Sequence, residues 1–230
     1  MILDIVPMFE KFNIAATLPK KLIEEQFPDF AHLTISPVKI QGHDNRTFRL
    51  GNDMLIRMPT AQPYTLKVAK EQELLPLLAP YLSIAIPKPI KMGKPSVDYP
   101  FNFSIYKWLD GESANSIAVD DKSLEYIALS LAEFLNELQS IDVKIRLKPG
   151  LHNWYRGDHV SVYDKQARSQ IKKLKNFINI EKALTLWENA TNTKWTHHPV
   201  WIHGDITSSN ILVKNGRLSG IIDFGGCSCW

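Results

Sequence analysis

Asn215-Gly216, set between two alternating apolar runs, constrains this chain more than any other feature. An Asn-Gly pair in that setting is the strongest short-range signal for a two-residue type I′ hairpin, because both residues must take positive φ. Pairing the strands outward sets Lys214 opposite Arg217, Val213 opposite Leu218, Leu212 opposite Ser219, Ile211 opposite Gly220 and Asn210 opposite Ile221. Asp223 lies two residues past Ile221, so a side-chain period of two puts it on the face of Asn210. Their backbones are then separated diagonally by roughly 7–8 Å, within reach of one ion held between the side chains. A carboxylate and an amide oxygen make a hard-oxygen pair suited to Mg2+, which takes few protein ligands and shares phosphate oxygens.

A second acid stands close by. Asp205 precedes Asn210 by five residues, in the loop leaving a strand over residues 200–203. Phosphoryl transfer needs a carboxylate to orient or deprotonate the attacking hydroxyl, and metal ligands that offset the phosphate charge. His203-Gly204-Asp205, four residues, Asn210, then Asp223-Phe224-Gly225 matches the order and spacing of a kinase catalytic loop and metal loop.

The rest of the chain supports a compact mixed fold. Short strands are expected at 38–40, 47–50, 54–58 and 101–108, with helices at 19–27 and 63–78; Pro76 should bend or shorten the second helix. From Asp120 or Asp121 a capped helix carries the stripe Leu124, Ile127, Leu131, Leu135 and Leu138. Two more helices follow near 158–174 and 180–191. The pattern changes from strand-rich to helical near Trp108–Ser113 and suggests two lobes around one cleft, over residues 1–108 and 109–230.

Composition narrows the partners. A net charge of +3, spread along the chain, leaves no clustered basic footprint for nucleic acid. No apolar run approaches the roughly 18 residues of a membrane span. The opening Met1-Ile-Leu-Asp-Ile-Val-Pro carries an acid where a secretory signal carries bases. Cys227 and Cys229 are too close to close a useful disulfide, so a reduced, cytoplasmic protein is expected.

The catalytic segment resembles the aminoglycoside phosphotransferase family, the small-molecule branch of the protein-kinase-like fold, in which Gly replaces the Arg of His-Arg-Asp. The resemblance extends upstream. Gln41–Leu50 is similar to the loop that positions the nucleotide, and Leu55-Ile56-Arg57-Met58-Pro59 to the strand bearing the phosphate-binding cation. Lys70-Glu71-Gln72-Glu73-Leu74-Leu75 is similar to the helix whose glutamate pairs with that cation, and Tyr106–Glu112 to the hinge that meets adenine. The resemblance implies an α+β, bilobal kinase-like fold: an antiparallel sheet plus helix in the N-lobe, and a mostly helical C-lobe holding the catalytic hairpin. It implies transfer of the γ-phosphate of ATP or GTP to a hydroxyl of a small molecule, an aminoglycoside-type antibiotic or a related compound, with Mg2+ as cofactor and antibiotic resistance as the setting. Asp205 would orient or deprotonate the hydroxyl, and Asn210 and Asp223 would bind Mg2+. Arg57, held by Glu71, would contact the phosphates. Gly42 and Asn45 would lie over them, and the backbone of Lys107 and Leu109 would bond the adenine edge.

Plainer roles stand beside these. Arg57 and Glu71 can be a surface cation and a helix-face acid, Gly42 a turn glycine, and Lys107 and Leu109 ordinary strand residues. His203 reads better as a structural histidine bonding backbone than as a catalyst. His197, His198, His203, Cys227 and Cys229 invite a zinc reading, which Cys-x-Cys without a second pair fits poorly. Arg replaces the Lys common at the cation position, and no G-x-G-x-x-G is present. The chain stops at Trp230, seven residues past Asp223, where members of the family usually continue through several helices. That ending suggests a truncated or frame-shifted chain: either the apolar face left behind is covered by a partner, for which a second copy is one candidate, or the protein is less stable than members of the family. It also keeps a second function open: a non-catalytic, nucleotide-binding remnant or regulatory module.

Overall fold

The computed structural model describes residues 10–142 and 147–229; the Met1–Pro7 segment discussed above and Trp230 lie outside them. The first half runs α1 (Leu18–Gln26), β1 (Ile35–Pro37), β2 (Asn45–Leu50), β3 (Met54–Pro59), α2 (Gln62–Leu78), β4 (Pro89–Gly93) and β5 (Phe103–Lys107). The strands form one antiparallel sheet in the order β1-β2-β3-β5-β4. Alternate residues of the central strands, Phe48, Leu50, Ile56, Met58, Phe103 and Ile105, are buried together with Leu22 and Ile23 of α1. This is the period of two expected where one sheet face is covered.

Three local expectations change. The first strand is Ile35–Pro37, not residues 38–40. The side-chain amide of Gln41 explains the shift: it donates to Val38 O at 3.1 Å and Thr47 O at 2.9 Å, and accepts from Thr47 N at 2.8 Å. A side chain thus takes the place of a neighbouring strand there. Pro89–Gly93, where no strand is expected above, is an edge strand, in which the missing N–H of Pro89 is tolerated. Helix α2 runs through Pro76 to Leu78. Pro76 falls in its last turn, and Leu74, Leu75 and Leu78 are buried around it, so packing outweighs one lost hydrogen bond.

The second half runs β6 (Glu112–Ser113), α3 (Asp121–Ser140), α4 (Asp164–Lys173), α5 (Ile180–Asn192), β7 (Trp201–Ile202), β8 (Ile211–Lys214), β9 (Arg217–Ile221) and β10 (Ser228–Cys229). Asp120 caps α3, accepting from Ser123 N at 2.8 Å. The buried line on α3 is Ile127, Phe134 and Leu138, with Leu131 and Leu135 partly buried; Leu124 is exposed, against the expected stripe. Helix α4 begins at Asp164, after a 3-10 turn over Val160–Tyr163. Strand β10 pairs with β7, and Cys227 and Cys229 are buried thiols.

The two halves share one core. Leu74, Leu75 and Leu78 of α2 cluster with Phe134, Leu138, Trp201, Ile221 and Phe224. The backbone joins them as well, since Ile221 N donates to Ala85 O at 3.0 Å. The result is the expected α+β, bilobal arrangement. No helix among the described residues is long and apolar enough to cross a membrane.

Candidate active site

The hairpin turn is as expected, with Asn215 at φ 53° and Gly216 at φ 72°. Its register is not. Lys214 faces Arg217 and Val213 faces Leu218, but Leu212 then faces Gly220 and Ile211 faces Ile221. Ser219 is the extra residue of a β-bulge, and its Oγ donates to Asp110 O at 2.9 Å, tying the hairpin to the segment that joins the halves. Asn210 therefore lies opposite Ile222, whose N–H donates to Asn210 O at 2.9 Å. The same-face argument for Asn210 and Asp223 fails, because a bulge reverses the alternation. Asp223 is instead turned by its own backbone, in the left-handed region at φ 65°, ψ 62°. A non-glycine residue held there is uncommon.

The loop before the hairpin closes around its own polar groups. His203 is buried, and its Nε2–H donates to Ile222 O at 3.1 Å while Nδ1 accepts from Asp205 N at 3.2 Å. Those partners hold the neutral ring, and burial pushes its pKa below the usual imidazole value. The ring packs edge-on against Phe224, with centroids 4.6 Å apart. Gly204 has φ +80°, and a Cβ there would sit 2.3 Å from Gly226 O. Loop and Asp-Phe-Gly segment thus meet backbone to backbone, a physical reason for glycine between His203 and Asp205. Gly204→Ala is expected to cost about 2–3 kcal/mol, from strain and from separating the two segments. A thermal melt unchanged from wild type would contradict this packing.

Asp205 emerges half-buried. Its Oδ1 is 3.4 Å from Arg156 Nη2, and Asn210 Nδ2 donates to Asp205 O at 2.9 Å and lies 3.4 Å from Oδ2. The amide nitrogen of Asn210 is spent on Asp205, which leaves its oxygen to face elsewhere.

Arg57 joins both halves. Its Nη1 donates to both oxygens of buried Glu71 at 3.1 Å, and Nη2 donates to Asp223 Oδ1 at 2.6 Å. Tyr106 Oη donates to Glu71 Oε2 at 2.5 Å. Asn45 is buried, and with its amide oxygen toward Arg57 it accepts from Nε at 3.1 Å and Nη2 at 3.2 Å. Asn45 is thus committed to the cation. Burial alone would raise the Asp223 pKa, but Arg57 and Lys67 outweigh it and hold the carboxyl well below the usual range.

Other expected residues are placed less tightly. Gly42 is exposed with no positive φ, and a Cβ there would meet nothing nearer than Asn45 O at 3.8 Å. The Lys107 N–H donates to Lys88 O at 2.9 Å, so it is not free to bond an adenine edge. Leu109 is partly buried beside Gly220.

Five site residues carried no assigned role in the sequence reading: Asp44, Lys67, Lys70, Tyr106 and Arg156. Lys67 lies one helical turn before Glu71, so helix periodicity alone places the two on one face. Its Nζ pairs with Asp44 Oδ2 at 2.7 Å. Lys70 Nζ donates to Gly225 O at 2.7 Å and Cys227 O at 2.9 Å, and lies 3.2 Å from His152 Nδ1. Burial pulls its ammonium down to about 8. No local signal marks Arg156, which reaches Asp205 from a turn with Trp154 and Tyr155 at positive φ.

The donor set suits a hard cation. Asp223 keeps one carboxylate oxygen outside the Arg57 contact, and Asn210 keeps its amide oxygen. Among the described residues no group of three His, Cys, Asp or Glu could hold a metal. A carboxylate and an amide oxygen are the donor types Mg2+ takes, and it would complete its shell with water and phosphate.

The sequence profile of the Phosphotransferase enzyme family (APH) matches residues 34–229. No curated protein sequence matches the chain. Solved structures do. The GDP complex of wild-type aminoglycoside 2′-phosphotransferase-IIIa superposes with TM-score 0.71 at 25% identity, over 94% of this chain and 75% of that one. An APH(2″) enzyme with GDP and kanamycin gives TM-score 0.71 at 26% identity, over 92% and 73%. The macrolide 2′-phosphotransferase MphH from Brachybacterium faecium, at 21% identity and TM-score 0.62 over 93% and 73%, shares the fold. With a family profile over residues 34–229 and a shared fold, this chain belongs to the phosphotransferase enzyme family.

Proposed function

We propose that the chain moves the γ-phosphate of ATP or GTP to a hydroxyl of a small, aminoglycoside-type acceptor. Residues 1–108 would hold the nucleotide, and 109–230 would carry the catalytic loop. The observation that supports this most is the meeting of three segments around Asp223: the bulged hairpin that delivers it, the Arg57–Glu71 pair that grips it, and the loop before the hairpin, whose His203 bonds Ile222 O and packs on Phe224. Asp205 would accept the proton of the attacking hydroxyl, with Arg156 keeping a positive charge beside it. Asn210 and Asp223 would hold Mg2+, which when bound screens the phosphate oxygens. Arg57 supplies a fixed positive charge next to them. The rest is placement and preorganised charge rather than covalent chemistry.

The relatives solved with GDP, and with GDP and kanamycin, make those the first ligands to try. The test is release of nucleoside diphosphate with kanamycin as acceptor, with and without Mg2+, for wild type and Asp223→Ala. Wild type is expected to turn over only with Mg2+, and Asp223→Ala to lose at least about a hundredfold. Equal turnover in the variant would remove Asp223 from the metal role. A wild-type chain that binds MgATP or MgGTP but phosphorylates no aminoglycoside or macrolide would instead support the nucleotide-binding module.

A further inference from the structure

We infer that Lys67 is a second phosphate-binding cation of the nucleotide site, held by Asp44 until the phosphates arrive. The inference rests on the nucleotide-dependent reading above and adds a residue to it.

The argument begins with hydrogen-bond capacity. Arginine has five N–H donors in a fixed fork. Those of Arg57 are spent: two on Glu71, one on Asp223, and two on Asn45 with its oxygen turned inward. Arg57 can give a phosphate its charge, but it has no N–H to offer without abandoning a partner. Lys67 is differently placed. It lines the same small polar cavity as Arg57, Asn45, Tyr64 and Glu71. Among the described residues its ammonium has one hydrogen-bond acceptor, Asp44 Oδ2 at 2.7 Å, so two of its three N–H groups are free.

Position supports the same conclusion. Asp44 belongs to the loop over residues 41–45 that the nucleotide would slide beneath, and Lys67 is buried on α2 under that loop. The lysine stem crosses Gly225, directly after Asp223-Phe224. A Cβ at Gly225 would lie 2.5 Å from Lys67 Cδ and 3.1 Å from Cε, so the glycine leaves the channel in which the stem lies. Lys67 also lowers the Asp223 pKa, which puts its charge within electrostatic range of the same carboxylate. An ammonium on a flexible four-carbon stem can change partners with little rearrangement, which a forked guanidinium cannot. Asp44 without a cation would repel a triphosphate. With Lys67 shared between them, the acid stores the charge and then yields it.

Isothermal titration of wild type, Lys67→Met, Lys67→Arg and Asp44→Asn tests this, using MgATP, MgGTP and the two free nucleosides. Lys67→Met is expected to bind the triphosphate about tenfold or more weakly and the nucleoside unchanged. Lys67→Arg should recover most of the loss. Asp44→Asn should bind the triphosphate as tightly as wild type or tighter, because it frees the lysine and removes a repelling charge. Lys67→Met matching wild type would overturn the inference. So would Asp44→Asn losing as much as Lys67→Met, since the pair would then be a clamp on the loop. If Lys67→Met does not fold, Asp44→Asn alone decides, with weakened triphosphate binding counting against. A wild-type chain that binds neither triphosphate sinks the functional reading itself, and this inference with it.

Discussion

Asp205→Asn is expected to slow phosphate transfer by about three orders of magnitude while leaving MgATP or MgGTP affinity within a factor of about two. A positioned base is worth about 10²–10⁴ in rate. The asparagine is nearly isosteric, so the loop should hold: the backbone N–H of residue 205 still donates to His203, and its carbonyl still accepts from Asn210. Only the proton acceptor and the charge facing Arg156 are lost. The effect should fall on kcat and spare nucleotide binding, because Asp205 contacts none of Arg57, Glu71 or Lys67. Steady-state kinetics with a single acceptor, alongside a titration of nucleotide, separates the two quantities. Retention of more than a tenth of wild-type kcat would remove Asp205 from the proton-accepting role, and a parallel loss of affinity would make it a structural anchor.

The legible part of this molecule was the part written in short range. Asn215-Gly216 dictates a turn through its two positive φ values, and the turn is there. The short apolar runs at 47–50 and 54–58 mark two strands, both of which form, and of the two acids at the start of α3 Asp120 is the cap. Where an expectation failed, a tertiary partner had intervened. Ser219 left the ladder for Asp110 and shifted the hairpin register, and Gln41 displaced a strand by taking over its hydrogen bonds. Neither event has a local signature, because the same residues would sit quietly in a regular strand. The site divides in the same way. The spacing from His203 to Asp223 is a sequence fact, but Arg156 reaches Asp205 across 49 positions and Asp44 reaches Lys67 across 23, and only the fold brings them together. Tyr106 illustrates the mixed case: it was visible as a strand residue, and only its depth beneath Glu71 gives its hydroxyl a task.

Glu71→Gln should be the most damaging substitution for the folded state. Glu71 is 3% exposed, and it accepts two N–H bonds from Arg57 and one O–H bond from Tyr106. Removing one charge of a buried pair costs about 3–5 kcal/mol, because the other is left without compensation. Here Asp223 still holds Arg57, so the lower end, about 3 kcal/mol, is expected. For a chain of this length that corresponds to a melting temperature about 6–12 °C lower. Asp223 also gives the variant a second, separable effect. With Glu71 neutral, the full charge of Arg57 acts on Asp223, which holds its carboxylate more firmly against an incoming metal. Glu71→Gln should therefore need several times more Mg2+ for half-maximal activity, at a temperature where it is fully folded. Asp223 and Glu71 thus compete for one guanidinium, and on the proposed function the glutamate would keep Asp223 available to a metal. A variant that melts at the wild-type temperature would disprove the buried pair. One that is destabilised but has an unchanged Mg2+ requirement would confine Glu71 to holding the halves together.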